Sequence, residues 1–351
     1  MSKIRIVHCA DVHFGAKFGA VSALADTLRA EQMQTFEKMI DFTRANADIL
    51  LLAGDLFNTP VPEKELADKV AALLGRAAVP VFITSGNHDP AAPDSVYNTT
   101  EFPENVHIFK DENLSCVELE NIGARVFGAG FANPVCRKIT GLEDFTHGEE
   151  TTDVLILHAD LDGAPDGPYN SVESKALAAL GFDYAALGHI HKRFIGDNIA
   201  YCGCPMGTGF DESGQKGWLY VEAEKGERAK IEFIPSGSRS FIVQELSEPV
   251  DEKLQGDPKR DIYRINVTGN VNLAEISRYL KEKVFYFELS DGRYVLPDIT
   301  EVLKEQSLRG EFVRKVLEAE QSGEFTSEQC SAALRFGLEA FDREVRLFED
   351  N

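Results

Sequence analysis

Aspartate, histidine and asparagine recur in this sequence at the points where short apolar runs stop. Ile4-Arg5-Ile6-Val7 leads toward Asp11-Val12-His13, Leu50-Leu51-Leu52-Ala53 into Gly54-Asp55, and Val81-Phe82-Ile83-Thr84 toward Gly86-Asn87-His88-Asp89. Val154-Leu155-Ile156-Leu157 runs into His158, and Tyr184-Ala185-Ala186-Leu187 into Gly188-His189-Ile190-His191. Five of the chain's 8 histidines (13, 88, 158, 189 and 191) fall at these ends. In extended chain, residues two apart point to the same side. Asp11 with His13, and His189 with His191, can therefore each grip one ion or two adjacent ions. Gly54 and Gly86 carry no Cβ, so the backbone beside them can turn tightly and come close to bound ions. Carboxylate, imidazole and amide donors without cysteine suit divalent manganese, iron or zinc rather than a thiolate structural zinc site. Seven donors around two ions leave positions for water and substrate, which is how a catalytic centre differs from a structural one.

The elements that must hold these residues alternate. Helical periodicity spans Leu24 to Ala45 and Pro62 to Arg76, with Pro62 suited to a first turn. Asp48 to Ala53 and Val79 to Thr84 read as buried strands, as do Val154 to Leu157 and Tyr184 to Leu187. Ser171 to Leu180 is a further helix, with Ser171 or Ser174 as its cap. Continuous apolar strands separated by helices imply an α/β core covered on both faces. Trp218–Glu222, Ile231–Ile234 and Phe241–Gln244 follow as sequential strands. The expected fold is a two-sheet αββα sandwich. Ligands bind at the carboxyl ends of strands in such sheets, where loops converge above a rigid platform.

A polar, proline-bearing stretch from Ser247 to Pro258 marks a boundary, dividing the chain into 1–246 and 247–351. The second part reads as strand Ile262–Val267, helix Leu273–Lys283, strand Phe285–Leu289 and helices Thr300–Glu320 and Ser327–Phe348. That pattern suits a small α+β domain.

Length and composition narrow the function classes. Three hundred and fifty-one residues, 43% hydrophobic and 27% charged, describe an ordinary globular chain of about two domains. The longest apolar run, Ile49–Ala53, is too short to span a bilayer, and the first residues show no secretory pattern. Six scattered cysteines make no disulfide framework, so a reduced, cytoplasmic protein is expected. Thirty-six Lys+Arg against 58 Asp+Glu give a net charge of −22, with no basic block. Phosphate neutralisation supplies most nucleic-acid affinity, so any role on DNA must answer that charge.

Taken singly, each fragment is ordinary: Gly-Asp is a common turn, and an Asp-x-His after a strand is most often a satisfied loop. Their order is what carries meaning. Asp11-x-His13, Gly54-Asp55, Gly86-Asn87-His88-Asp89, His158 and Gly188-His189-x-His191 resemble the calcineurin-like metallophosphoesterases, and more closely the SbcD-like DNA repair nucleases. Cys9-Ala10-Asp11-Val12-His13-Phe14-Gly15 is similar to their opening motif. Tyr201-Cys202-Gly203-Cys204-Pro205, Phe210-Asp211-Glu212 and Lys216-Gly217 are similar to the segment closing their phosphoesterase domain. The resemblance covers roughly residues 3–245; beyond it, only position and size match the family's small capping domain.

The resemblance implies that Asp11, His13 and His191 hold one metal ion and Asn87, His158 and His189 the other, with Asp55 bridging. It implies that His88 is no ligand and acts on the leaving oxygen. Hydrolysis of a phosphodiester by a water that the ions acidify is implied as well, with manganese the expected metal and no covalent intermediate. Imidazole, which ordinarily titrates near neutrality, suits proton delivery to a departing oxygen. The implied partners are DNA and an SMC-like coiled-coil ATPase that supplies much of the DNA grip, with a homodimer through the Leu24–Ala45 helix as a further possibility. A stand-alone phosphoesterase for small nucleotides or phosphomonoesters is the alternative, which the charge favours. A docking subunit with a decayed site ranks last, because the motif residues are intact. Asn58 stands where some relatives carry a histidine supporting the catalytic one. Cys202 and Cys204 read as small buried residues, and His8, His107 and His147 receive no role.

Overall fold

The computed structural model describes residues 3–164, 167–247, 254–268, 273–291, 296–323 and 325–349. The chain forms two compact units, residues 1–241 and 242–351.

In the first unit, β1 (Ile4–Cys9), α1 (Ala25–Asn46), β2 (Ile49–Ala53), α2 (Lys64–Arg76), β3 (Val81–Thr84), a single turn α3 (Val96–Thr99) and β4 (Val106–Phe109) follow one another. Next come β5 (Ser115–Leu119), β6 (Ala124–Gly128), β7 (Thr152–His158), β8 (Asp160–Leu161), β9 (Ser171–Val172), α4 (Ser174–Leu180) and β10 (Tyr184–Gly188). The unit closes with β11 (Phe194–Ile195), β12 (Ile199–Tyr201), β13 (Gly217–Ala223) and β14 (Lys230–Pro235). Two six-stranded sheets result, ordered β14-β13-β1-β2-β3-β4 and β11-β12-β10-β7-β6-β5. β1, β2, β3 and β4 run parallel, as do β6, β7, β10 and β12, with antiparallel strands at the edges.

Alternation within the apolar runs builds the layers. Leu50 and Leu52 of β2 face outward against Phe36, Met39 and Ile40 of α1 and Val70 and Leu74 of α2. Ile49, Leu51 and Ala53 face inward, meeting Val126, Val154, Ile156, Tyr184 and Ala186 of the other sheet. Leu155, Leu157, Ala185 and Leu187 face out again, under Leu177 of α4 and Phe182. A strand buried on both faces must be apolar at every position, and Ile49–Ala53 is buried throughout. The fold is therefore a mixed α/β sandwich of two sheets with helices outside.

Several local expectations are corrected. Ser171 and Val172 form the short strand β9 instead of starting a helix; α4 begins at Ser174, whose N–H donates to Asp162 Oδ1 at 2.8 Å. β13 and β14 return to the first sheet, where β13 pairs antiparallel with β1. Phe241–Gln244, read as a last strand of the first domain, extends over Phe241–Leu246 and is hydrogen-bonded in the second unit's sheet. β5, β11 and β12 are additional: β5 and β11 are edge strands and β12 is only three residues long, too short for an apolar pattern to show.

The second unit holds β15 (Phe241–Leu246), β16 (Ile262–Val267), α5 (Leu273–Lys283) and β17 (Tyr286–Asp291), then α6 (Ile299–Val302), α7 (Leu308–Gln321) and α8 (Ser327–Glu349). The three strands form one sheet, β16 parallel to β17, with Ile276 and Leu280 of α5 packed on Tyr263, Ile265 and Val267. Val302, Val313 and Leu338 centre a second small core among α6, α7 and α8. The helix expected over Thr300–Glu320 breaks in two. Asp298 caps α6 through the Thr300 N–H (2.9 Å), and Ser307 caps α7 through the Gly310 N–H (3.2 Å), each satisfying a donor a helix start leaves free.

Candidate metal centre

The parallel strands β1, β2, β3, β7 and β10 deliver their carboxyl ends to one rim of the sandwich, and the candidate residues gather there. Backbone strain concentrates at the same place. Asp11 (φ 52°), His13 (φ 54°), Asp55 (φ 51°) and His189 (φ 100°) lie in the left-handed region that side-chain-bearing residues seldom adopt. Such conformations cost of order 1–3 kcal/mol each and persist where the surroundings enforce them. Here the loops after β1 and β2 lock together: Asp11 N–H donates to Gly54 O (3.1 Å), His13 N–H to Asp55 O (3.0 Å) and Phe14 N–H to Leu56 O (2.9 Å). His189 N–H donates to Asp11 Oδ1 (3.0 Å), and His88 N–H to Asp55 Oδ1 (2.9 Å). Close approach explains both expected glycines. A Cβ on Gly54 would lie 2.2 Å from His158 Nδ1, and one on Gly86 2.1 Å from Asp55 Oδ1.

The donor atoms converge. Asp11, His13 and His191 each offer one within 4.8 Å of the others, as do Asp11, Asp55 and His158. His13 Nε2 is 3.0 Å from His191 Nε2 and 3.7 Å from Asp55 Oδ2. His158 Nε2 is 3.4 Å from Asp55 Oδ2 and 3.0 Å from Asn87 Oδ1, and the His158 and His189 rings have centroids 5.1 Å apart. These seven residues thus lie together at the rim, with Asp55 within 3.7 Å of both His13 and His158.

The chemistry of these donors suits divalent cations. His158 Nδ1 lies 3.0 Å from the Ala53 carbonyl, which only accepts, so its proton sits there and Nε2 presents a lone pair. That lone pair faces two oxygens that are also acceptors, an arrangement a cation between them would satisfy. His191 Nδ1 meets the Glu212 carboxylate, leaving Nε2 turned toward His13, whose own buried Nδ1 has no hydrogen-bond partner. Burial holds His13 down to about 3 and His189 to about 4, so both stay neutral and able to ligate. Burial lifts Asp11 to about 6 against the pull of His191 and His158. Burial also opposes charge on His191, yet Glu212, Asp11 and Asp55 raise it to about 9. A proton or a cation must therefore occupy the space between these acceptors. The Asp/His clusters could hold a divalent metal; among the ligand-competent residues His88 is exposed at the mouth, its ring edge-on to His13 at 4.7 Å.

Two further residues support the site, and sequence reasoning assigned neither a role. Asp89, fully buried, accepts from Gly86 N–H (2.8 Å), Phe57 N–H (2.9 Å) and Tyr97 O–H (2.6 Å), tying the Asp55 loop to the His88 loop. Its place beside Gly86-Asn87-His88 was the available signal. Glu212 accepts from His191 Nδ1 and, through Oε2, from Thr208 N–H at 2.5 Å. Second partners of this kind orient a metal-binding imidazole and fix its tautomer. Glu212 lies 21 residues from His191, at no spacing that marks the pair. His8 bonds Tyr184 OH (2.7 Å) and lies 3.2 Å from Leu187 O, a buried link between the sheets. Cys202 and Cys204 are buried.

Comparison with known proteins places this geometry. Residues 4–193 match the family model described as calcineurin-like phosphoesterase, more than half the chain. An uncharacterized metallophosphoesterase, YhaO of Bacillus subtilis, is 28% identical over 243 residues, 65% of this chain and 59% of its own length. The DNA double-strand break repair protein Mre11 of Methanopyrus kandleri is 26% identical over 73% of this chain and 63% of its length. A subunit of the nuclease SbcCD from Staphylococcus epidermidis is 22% identical over 80% of this chain and 83% of its length. The match thus spans less than two thirds of the first two relatives. Among the described residues, no helix is long and apolar enough to cross a membrane.

Proposed function

This chain belongs to the calcineurin-like phosphoesterase family of metal-dependent hydrolases, and from that premise we propose that it hydrolyses phosphodiester bonds as the nuclease subunit of a DNA repair complex. The observation that carries the reading is the convergence of acceptors from five strand ends, with His158 Nε2 facing Asp55 Oδ2 at 3.4 Å. Asp11, His13 and His191 would hold one ion, Asn87, His158 and His189 the other, and Asp55 both. The carboxylate, imidazole and amide donors suit manganese, iron or zinc, and we take manganese because the motifs resemble those of the repair nucleases. Two such ions supply Lewis acidity, acidifying water and offsetting charge on the attacking and departing oxygens.

The chain's own residues do the rest. The Ala53 carbonyl and Glu212 fix which nitrogen of His158 and of His191 carries the proton. His88 is held by its own N–H on Asp55 and faces solvent, so its ring can meet the departing oxygen and place a proton there. The buried floor beneath, with Asp11, His13, Asp55 and His158 nearly inaccessible, excludes bulk water and strengthens every charge interaction at the site.

Support for DNA as substrate comes from two of the relatives, one a double-strand break repair protein and one a nuclease subunit. The net charge of −22 is then met by a coiled-coil ATPase partner carrying much of the DNA contact, and by the ions, which invert the local potential. The same charge favours the second reading, a stand-alone phosphoesterase for small nucleotides. Bis-p-nitrophenyl phosphate against the mononitrophenyl ester, then linear duplex and single-stranded DNA against cyclic nucleotides, all with manganese, separates the two. Cleavage of DNA with the co-encoded ATPase supports the nuclease reading. Turnover confined to small nucleotides, with the ATPase present, overturns it.

A further inference from the structure

Lys216, immediately before β13, carries its side chain into the protein and is only 9% exposed. Its Nζ donates to the His191 carbonyl at 3.5 Å, and among the described residues no carboxylate lies within 4.0 Å of it. A cation buried on these terms is costly, and it persists only where the surrounding structure fixes it. The main chain is fixed here: Lys216 O accepts from both Ser236 N–H (2.9 Å) and Ser236 Oγ (3.0 Å), and Gly217 N–H donates to Cys204 O (3.2 Å).

The neighbouring carboxylate is Glu212, whose oxygens are committed to His191 Nδ1 and to Thr208. Lys216 therefore acts on His191 at its carbonyl, while Glu212 acts on the ring. His191 is consequently held at two points, its carbonyl by Lys216 and its ring by Glu212. The bond at Nδ1 sets the rotation of the ring, and the bond to the carbonyl holds the main chain from which the ring projects. The lysine has a second consequence. His191, Cys204 and Glu212 could themselves gather round a cation, their donor atoms lying within 4.8 Å of one another. A resident ammonium beside Glu212 and Cys204 discourages a metal from settling behind the ring.

Resting on the reading of His191 as a metal ligand, we propose that Lys216 is a positioning residue for that ligand: with Glu212 it clasps His191 so that Nε2 faces His13 and Asp11. The test is calorimetric titration of the full chain with manganese alone, for the unmodified protein, K216M, K216R, E212Q and the K216M/E212Q double variant. The unmodified protein should take two ions. K216M should weaken one of them by about tenfold or more, as loss of an outer partner does, and leave the other in place. K216R, which keeps the charge and a donor, should recover most of that loss. Because both residues act through His191, the double variant should be weaker than E212Q alone by less than the K216M factor. Manganese binding by K216M equal to the unmodified protein, or factors that multiply in the double variant, overturns the inference and leaves the metal centre standing. No manganese uptake by the unmodified protein overturns the metal centre itself. Should K216M not fold, K216Q, which keeps a donor toward the His191 carbonyl without the charge, carries the same comparison.

Discussion

Replacing Asp89 by asparagine should loosen the whole centre without touching a candidate ligand. The carboxylate receives three donors, Gly86 N–H on Oδ1 and Phe57 N–H and Tyr97 O–H on Oδ2, all within 2.9 Å and all buried. An amide has one accepting oxygen. Placed where Oδ2 was, it keeps two bonds and turns its NH2 onto the Gly86 N–H; reversed, it opposes Phe57 and Tyr97. Either way at least one buried donor is stranded, at about 1–3 kcal/mol, and the remaining bonds lose their charge assistance. A total near 2–4 kcal/mol is expected, lowering the melting temperature by roughly 5–15 °C at about 2–4 °C per kcal/mol for a unit of this size. Tyr97→Phe removes one donor and strands nothing, so it should cost only about 1–2 kcal/mol. Thermal and denaturant unfolding give the stabilities, and manganese-dependent hydrolysis of bis-p-nitrophenyl phosphate reports whether the His88 and Asp55 loops stay aligned. Asp89→Asn as stable as the unmodified protein, or Tyr97→Phe the more damaging of the two, would refute the reasoning.

Other expectations divide the roles further. His88→Ala should keep both metal ions while turnover falls by about 10²–10⁴-fold, the usual worth of a general acid, whereas Asp55→Ala should lose metal; metal analysis that finds His88→Ala stripped contradicts the assignment. Adding manganese at a hundred times its dissociation constant should stabilise the protein by about 2.7 kcal/mol, and a chelator should reverse this; a melting temperature indifferent to both argues against a native-state site. Burial would raise the Asp153 carboxyl, but Arg125 (2.7 and 2.9 Å), the Gly148 N–H and Thr151 hold it below 3.8. Its folded value lies under its unfolded one, so its contribution is complete above that ordinary value and is lost as pH falls through the depressed one. Asp153→Asn should therefore unfold with a shallower dependence on acid than the unmodified protein, and parallel acid titrations would sink this point.

Much of the site was legible because each ligand stands directly after a run apolar enough to be a strand buried on both faces. Ile49–Ala53 and Val154–Leu157 can be little else, and the residues at the ends of such strands are forced onto the rim. The paired spacings of Asp11 with His13 and His189 with His191 were legible too. Glu212 was not: its partnership with His191 depends on how an irregular segment folds back beside it, which no local periodicity encodes. Asp89 was visible as a residue but not as a brace, since its partners Phe57 and Tyr97 come from separate loops. The strand Phe241–Leu246 illustrates another limit. Its residues state that it is extended, and pairing alone decides which sheet takes it. The split of Thr300–Glu320 into α6 and α7 turned on caps, Asp298 and Ser307, that a continuous helical pattern concealed.

The central claim is that seven side chains hold two cations around one shared aspartate. Diffraction from crystals grown with manganese, measured at its absorption edge, tests it most directly. Two anomalous peaks are predicted, one among Asp11, His13 and His191 and one among Asn87, His158 and His189, with Asp55 reaching both. Peaks elsewhere, or none at a concentration that saturates activity, would contradict it.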